Sequence, residues 1–373
     1  MNLQLSITER CNLRCTYCYY KETHAKRSSD MSDLVMEDSV RLAINRCIEK
    51  KDSDLGITFF GGEPLVRMDF IKKTVKFVKG MVKERRIDLP KDFELRFSVN
   101  TNGTLLSDEA IKFLKRERFT VFVSIDGPAK RHDLARKTSN GFGSFKAIAP
   151  FIPALVDLDS TVLMVVTQAH VKGLADAVKW VFKQGFTKVA TSLDFNGSWT
   201  GEDFDALIPE YEKLARFWYK AKMADSGIYL STIQDKISIN LLGERKKEST
   251  CFIGHGSLVV ATNGKTFPWT RFLSRRKGAP YVTGNVSDER SGIYKEVLPK
   301  EVQSFLDHDR KGCEGCAIRY RCLAHECGCT SFYTTGSLRR VSPEVCTHER
   351  ILCAICDEYA NKLLSQKHPE RIF

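Results

Sequence analysis

Short β-rich apolar runs alternate with longer helical patterns over the first half of the chain. An apolar run Leu3 to Ile7 opens it, followed by a polar stretch to Asp33 and a helical pattern over Leu34 to Glu49. Next come a strand at Gly56 to Phe60, the turn Gly61-Gly62-Glu63-Pro64 and a helix over Asp69 to Arg86. The unit then repeats. Strand Phe93 to Val99 precedes helix Ser107 to Glu117, and strand Thr120 to Ile125 precedes a helix near Phe145 to Val156. Strands Ser160 to Thr167 and Lys188 to Asp194 flank a helix over Leu174 to Gln184. Such β–α units in series predict a parallel sheet with right-handed crossovers.

Six strands suit an α/β fold of the partial (β/α)6 TIM-like barrel type. Cys11, Gly61-Gly62-Glu63-Pro64, Asn102-Gly103, Ser124/Asp126, Thr167 and Asp194 all fall at or just beyond C-terminal strand ends. A barrel gathers these on one rim, whereas a doubly wound sheet would spread several away from one crevice. Singly, Gly61-Gly62, Asn102-Gly103 and Asp126-Gly127-Pro128 also read as plain turns. Beyond Asp194 a Gly/Asp-rich loop, Phe195 to Phe204, leads to helical stretches Ala206 to Ala224 and Thr232 to Glu244 and a charged break, Arg245 to Ser249. The expected domains are a barrel over 1–205, a helical linker over 206–249 and a small cysteine-rich α+β domain over 250–373. Within the last, Leu258 to Ala261 and Lys265 to Phe267 flank Thr262-Asn263-Gly264, a hairpin signal.

The 373 residues include 13 cysteines, unevenly spread. Cys11-x3-Cys15-x2-Cys18 places three thiols in one loop, able to grip three corners of an iron–sulfur cube and leave the fourth iron open. The rival is structural zinc, which usually takes four ligands arriving as two pairs. Cys47 falls on an apolar helical stripe with Val40, Ala43 and Ile44 and reads as packing. The other nine lie between Cys251 and Cys356, including Cys313-x2-Cys316-x5-Cys322-x4-Cys327-x-Cys329. Cysteine density of this kind implies a lobe held by metal, with zinc again a rival. On a helix over Pro343 to Leu364, Cys346 and Cys353 stand roughly 10 Å apart along the axis and suit two centres, while Cys353 and Cys356 are neighbours. Thiols in this number without a signal peptide or spanning segment point to metal or redox chemistry in a reducing cytoplasm, away from membranes. The net charge of +12 comes partly from Lys72/Lys73/Lys76/Lys79/Lys83, Arg245-Lys246-Lys247 and Arg275-Arg276-Lys277. Such runs suit RNA or acidic peptides, but are more often solvated helix faces.

The cysteine loop with Tyr17, together with Gly61-Gly62-Glu63-Pro64, Thr101-Asn102-Gly103-Thr104 and Ser124-Ile125-Asp126-Gly127-Pro128, resembles the radical S-adenosylmethionine (radical SAM) superfamily. Cys251 to Cys356 resembles its SPASM auxiliary-cluster domain, found in enzymes that modify peptides and proteins. The resemblance implies that Cys11, Cys15 and Cys18 bind a [4Fe–4S] cluster whose open iron chelates SAM. Gly61, Gly62 and Glu63 would hold the methionine amine. Tyr17 would border the adenine, Ser124 and Arg136 would reach toward the carboxylate, and Asp126 toward the ribose. One-electron cleavage of the sulfonium would then launch hydrogen abstraction from an unactivated C–H bond.

In the second region the resemblance implies one auxiliary [4Fe–4S] cluster on Cys313, Cys316, Cys322 and Cys346. It implies a second on Cys251, Cys327 and Cys353, with Cys329 and Cys356 as alternatives. A cysteine expected five residues after Gly264 is Trp269 here, leaving open whether that second cluster forms. The next residue, an aspartate base in anaerobic sulfatase maturases, is Thr270. The ending Cys346-Thr347-His348-Glu349-Arg350-Ile351-Leu352-Cys353 resembles thioether-forming peptide maturases. The expected function is therefore maturation of a ribosomally synthesised peptide or protein by a C–S or C–C crosslink or related change. Alternatives are radical SAM modification of RNA or a small molecule, or a sulfatase-maturase-like activity. Expected partners are the precursor, an external one-electron reductant of flavodoxin or ferredoxin type and, since the chain starts at the first barrel strand, a separate leader-binding protein or another docking surface.

Overall fold

The computed structural model describes residues 1–20, 29–242, 256–273, 281–291, 297, 299–307, 310 and 312–366. In chain order its strands are β1 (Asn2–Thr8), β2 (Asp54–Gly61), β3 (Glu94–Thr101), β4 (Thr120–Ser124), β5 (Thr161–Val166), β6 (Lys188–Leu193), β7 (Tyr229–Leu230), β8 (Ser257–Val260), β9 (Lys265–Phe267) and β10 (Gly284–Asn285). Two compact units are present. The first gathers Met1–Val123, Lys137–Phe142 and Phe252–Gln303, and the second Ser124–Arg136, Gly143–Cys251 and Ser304–Phe373.

In the first unit the strand order is β10-β9-β8-β1-β2-β3-β4. Pairing is parallel from β8 through β4, as β–α units in series require. Alternation builds each strand: in β2, Leu55, Ile57 and Phe59 are fully buried while their neighbours are partly exposed. Phe59 and Phe97 both stack on Phe119, at 5.8 and 5.4 Å between centroids. The helix Asp33–Lys50 starts at Ser32, whose side chain accepts from the Val35 N–H, and buries Met36, Val40, Ala43, Ile44 and Cys47. Cys47 is thus a packing residue. The predicted hairpin forms from β8 and β9, with Gly264 at φ +83°. The parallel pairing of β8 with β1 is a long-range contact that no local pattern foretells.

In the second unit β5, β6 and β7 are parallel. These two parallel series establish the α/β class, and a partial (β/α)6 barrel is consistent with them. Three local expectations change. The stretch near 145–156 is not one helix but Phe145–Ile148, a 3-10 turn Ala149–Phe151, and Ile152–Asp157, because Pro150 and Pro153 each remove a backbone donor. A short helix, Ala129–Ala135, follows Pro128. The loop read over Phe195 to Phe204 ends early: a helix begins at Gly201, where Thr200 and Asp203 cap one another reciprocally. The last helix, Pro343–Ser365, falls where the sequence put it. No helix among the described residues is long and apolar enough to cross a membrane.

Candidate functional site

The cysteine loop of the first unit is pinned at both ends. Thr8 Oγ1 donates to Asp30 at 2.6 Å, and Arg10 forks onto the same carboxylate through Nε and Nη2 at 3.1 and 2.6 Å. Leu13, buried, anchors the middle, while the Arg14 N–H donates to the Lys137 carbonyl at 2.6 Å. At the far end the buried Tyr20 hydroxyl lies 2.6 Å from Ser6 Oγ, and within the loop Cys11, Cys15, Cys18 and Tyr17 are partly exposed. The Leu13 N–H points at Cys11 Sγ at 3.4 Å.

The Gly61-Gly62-Glu63 turn crosses this loop at close quarters. The Gly62 N–H donates to the Thr8 carbonyl and the Glu63 N–H to the Arg10 carbonyl, each at 2.8 Å. Gly61 sits at φ +141°, and a side chain at Gly61 or Gly62 would overlap the Thr8 or Arg10 carbonyl respectively. Both glycines are therefore required by the crossing itself. Glu63, 1% exposed, accepts from the Leu65 N–H (3.0 Å), Thr101 Oγ1 (2.7 Å) and the Asn102 N–H (2.7 Å). Asn102 in turn donates to Asn12 Oδ1 at 3.0 Å and reaches Cys11 Sγ at 3.8 Å. Asn12 Nδ2 donates to Thr104 Oγ1 at 2.7 Å. Three motifs far apart in sequence thus form one hydrogen-bonded assembly.

All three donors to Glu63 are neutral, and burial pushes its carboxyl up to about 7 against their pull. Burial also raises the Cys11 thiol, to about 12. The Leu13 N–H opposes this, while the charges of Glu63, Cys15 and Cys18 add to it. Left alone, such a thiol stays protonated; a bound iron cation would supply the positive charge that a thiolate needs here. Among the described residues no three Cys, His or carboxylate side chains converge to hold a single metal ion. A cube does not ask for that, because each thiolate binds a different iron.

In the second unit Asp126 is wholly enclosed. Its Oδ1 accepts from the Val165 N–H (3.0 Å) and Arg136 Nη2 (3.2 Å), and its Oδ2 from Arg136 Nε (2.8 Å). Burial alone would raise this carboxyl, but the Arg136 guanidinium holds it below the ordinary value. The pair is tied to its surroundings by His132, whose Nδ1 accepts from the Asp126 N–H, and by Ser144, which donates to the Arg136 carbonyl. Burial depresses His132 to about 4, so the ring is neutral. Ser124 ends β4, half-buried.

The same unit holds most of the later cysteines. Cys316 and Cys346 lie near enough to Cys313 for their charges to add to the effect of burial on it. Arg350 hydrogen-bonds to Cys346 and feels Cys316 and Cys322. Those four cysteines share one neighbourhood. Cys327 caps the helix Gly328–Thr335, accepting from Thr330 N and Oγ1 at 3.4 and 3.1 Å, with Cys329 Sγ 3.8 Å away. Cys353 and Cys356 are fully buried, and burial raises both thiols, Cys353 to about 11. Cys251 lies outside the described residues.

Sequence reasoning missed what stands beside them. Lys236 donates to Glu349 Oε2 and to the Arg321 carbonyl, both at 2.5 Å, and His348 Nδ1 lies 3.3 Å from Glu349 Oε1. Tyr211 OH and His348 Nε2 are 2.7 Å apart. Burial opposes ionisation of Glu349, but His348 and Lys236 together pull it down to about 2. The one available signal was a lysine on the apolar stripe of a helix, beside Ile233 and Ile237.

Residues 5–190 match the model of the radical SAM superfamily. The chain is 27% identical over 321 residues to the cysteine-type anaerobic sulfatase-maturating enzyme of Clostridium novyi (strain NT), covering 83% of each. It is 24% identical over 337 residues to the radical SAM cyclopropyl synthase TigE of Paramaledivibacter caminithermalis, covering 86% of this chain and 66% of that one. Among solved structures, native anSMEcpe with bound AdoMet and Kp18Cys peptide superposes with a TM-score of 0.78 at 21% identity, covering 98% of this chain and all of the other. That last likeness establishes shared fold.

Proposed function

The chain carries a radical SAM domain and belongs to that superfamily; on that premise we propose that it matures a ribosomally made peptide or protein, abstracting hydrogen from a side chain to form a C–S or C–C crosslink or a related modification. The observation that carries the SAM-binding part of the reading is the junction of Cys11, Asn12, Glu63 and Asn102, because it ties the thiol loop to a buried carboxyl that has no cationic partner among the described residues. Cys11, Cys15 and Cys18 would hold the [4Fe–4S] cluster, and Tyr17 would border the adenine of SAM. When bound, the cluster and SAM supply the one-electron cleavage that starts hydrogen abstraction.

The protein's own part is positioning and charge. Glu63, once ionised, would offer a negative charge to a ligand that brings positive charge, as the sulfonium and amine of SAM do. Its three donors hold the carboxylate in one orientation, so little reorganisation accompanies binding. Arg136, fixed by Asp126, would present a guanidinium to the methionine carboxylate together with Ser124. Asp126 itself has its oxygens taken by Arg136 and Val165, which favours a positioning role for it over direct contact with the ribose.

Cys313, Cys316, Cys322 and Cys346 would hold an auxiliary [4Fe–4S] cluster; Cys251, Cys327 and Cys353 are the candidates for a second. An external reductant of flavodoxin or ferredoxin type would supply electrons, in a reducing cytoplasm. The test is to incubate anaerobically reconstituted protein with SAM, reductant and the peptide encoded beside its gene. The expected products are 5′-deoxyadenosine and a peptide lighter by about two hydrogens, as loss of one hydrogen from each joined atom requires. No change in any neighbouring peptide, with SAM cleavage intact, would contradict the substrate class.

A second reading, a sulfatase-maturase-like activity, is favoured by the 27% identity to the Clostridium novyi enzyme. Against it, Thr270 is buried and its hydroxyl donates to Gln4 Oε1 at 2.8 Å, and a hydroxyl is a poor substitute for a carboxylate base. Modification of a sulfatase peptide in the same assay would favour this second reading.

A further inference from the structure

A cleft of about 590 Å³ opens in the second unit between the helices Ala129–Ala135 and Leu174–Lys183. Its rim carries Lys130, Arg131, Lys172, Lys179 and Lys183 against one acid, Asp176. Asp176 lies 3.6 Å from Lys179. Lys130, Lys172 and Lys183 are exposed and, among the described residues, have no ion-pair partner. Arg131 differs from these. Its guanidinium is held by the carbonyls of Asp126, His170 and Lys172 and, among the described residues, has no carboxylate within ion-pair distance, so it is a fixed cation on the cleft wall. Along the same cleft Leu134 is half exposed, with Trp180 beside it.

The basic run on the helix Met68–Glu84 of the first unit shows the alternative. There Lys72, Lys73 and Lys79 are matched by Glu109, Asp33 and Glu117, leaving an ordinary solvated surface. Of the cleft lysines only Lys179 has such a partner; Lys130, Lys172 and Lys183 have none among the described residues, although they line a concavity where field is focused. Its length is set by the ten-residue helix Leu174–Lys183, roughly 15 Å at 1.5 Å per residue. That spans about four to five residues of extended polypeptide.

We infer that this cleft docks an acidic segment of the peptide substrate, one in which carboxylates alternate with a bulky apolar side chain. The carboxylates meet Lys130, Arg131, Lys172 and Lys183, and the apolar side chain covers Leu134 and Trp180. The inference rests on the peptide-maturase reading and adds a recognition surface to it. Single-stranded RNA fits less well, because base stacking needs a free aromatic platform and the one aromatic ring on the cleft wall among the described residues, Trp180, is already in an edge contact with Phe145 at 5.8 Å.

The test measures anisotropy of a fluorescein-labelled hexapeptide of alternating Glu and Leu on the reconstituted full chain, with a Lys-and-Leu hexapeptide and a hexauridylate as comparators. The variant is Lys130→Glu/Lys172→Glu/Lys183→Glu, at exposed positions whose reversal leaves the fold intact. The acidic peptide is expected to bind at least tenfold more tightly than either comparator and to weaken about tenfold or more in the variant. It should also weaken between roughly 50 and 500 mM salt. Equal binding of the acidic and basic peptides, no loss in the variant, or preference for the hexauridylate would overturn the inference. SAM cleavage without peptide, read in parallel, should match in wild type and variant, so failure of the cleft is distinguishable from failure of the proposed reaction.

Discussion

Glu63 and Glu349 are both buried carboxylates, one in each compact unit, and they differ in what balances their charge. Glu63 receives three hydrogen bonds, all from neutral donors, and is pushed up to about 7. Glu349 has Lys236 and His348 beside it, as well as the Leu323 N–H, and is pulled down to about 2. The second arrangement is complete within the chain and stabilises the fold that carries Cys322, Cys346 and Cys353. The first has no positive charge beside it among the described residues. A fold retains such an imbalance where a ligand corrects it, and here it adjoins the thiol loop proposed to hold the cluster that cleaves SAM.

The widest gap between the two regions should appear in Cys11→Ala/Cys15→Ala/Cys18→Ala, in which SAM cleavage falls to background while the iron proposed for the second unit remains. Iron per chain and 5′-deoxyadenosine, measured together, check it. Next in size, Lys236→Met strands Glu349 and should cost about 3–5 kcal/mol of urea stability, whereas Glu63→Gln, which removes an unbalanced charge, should cost far less. Equal losses would break the comparison.

The two carboxyls also set opposite pH windows in the metal-free protein. Glu63 titrates higher folded than unfolded, so its contribution is fully present below about pH 4.5 and is lost as pH rises through about 7. Glu349 titrates lower folded, so its contribution is present above about 4.5 and is lost as pH falls toward about 2. Each window is worth roughly 3 kcal/mol at most. Urea titrations of Glu63→Gln and Glu349→Gln across pH should flatten one window each. The smallest effect is expected from Thr101→Val, which removes one neutral donor and should cost about 0.5–1.5 kcal/mol while raising Glu63 further.

Much of this was legible in the sequence where the cause is local. Alternation in β2 and the spacing of Cys11, Cys15 and Cys18 read directly, and so did the hairpin at Gly264. The helix start at Gly201 carried a readable signal in Thr200 and Asp203, and Pro150 and Pro153 marked the broken helix. What stayed hidden is tertiary. The motifs around Cys11, Glu63 and Asn102 were each visible, but their hydrogen-bonded junction depends on strands brought side by side. Lys236 was hidden because a lysine is ordinarily solvent-facing, and only its partners Glu349 and the Arg321 carbonyl explain its burial. Neighbours also separate Lys72, Lys73 and Lys79 of helix Met68–Glu84 from Lys130, Lys172 and Lys183 of the cleft, a difference the net charge conceals.

The central claim, that the unbalanced charge on Glu63 serves SAM, is tested most directly by SAM affinity in wild type and Glu63→Gln at about pH 6 and about pH 8. Equilibrium dialysis of the anaerobically reconstituted proteins gives the ratio of the two dissociation constants at each pH, and titration of SAM itself cancels in that ratio. The account predicts a ratio of roughly tenfold or more at the higher pH, where Glu63 is ionised, shrinking toward one at the lower, where it is protonated. A ratio that is the same at both pH values would contradict it.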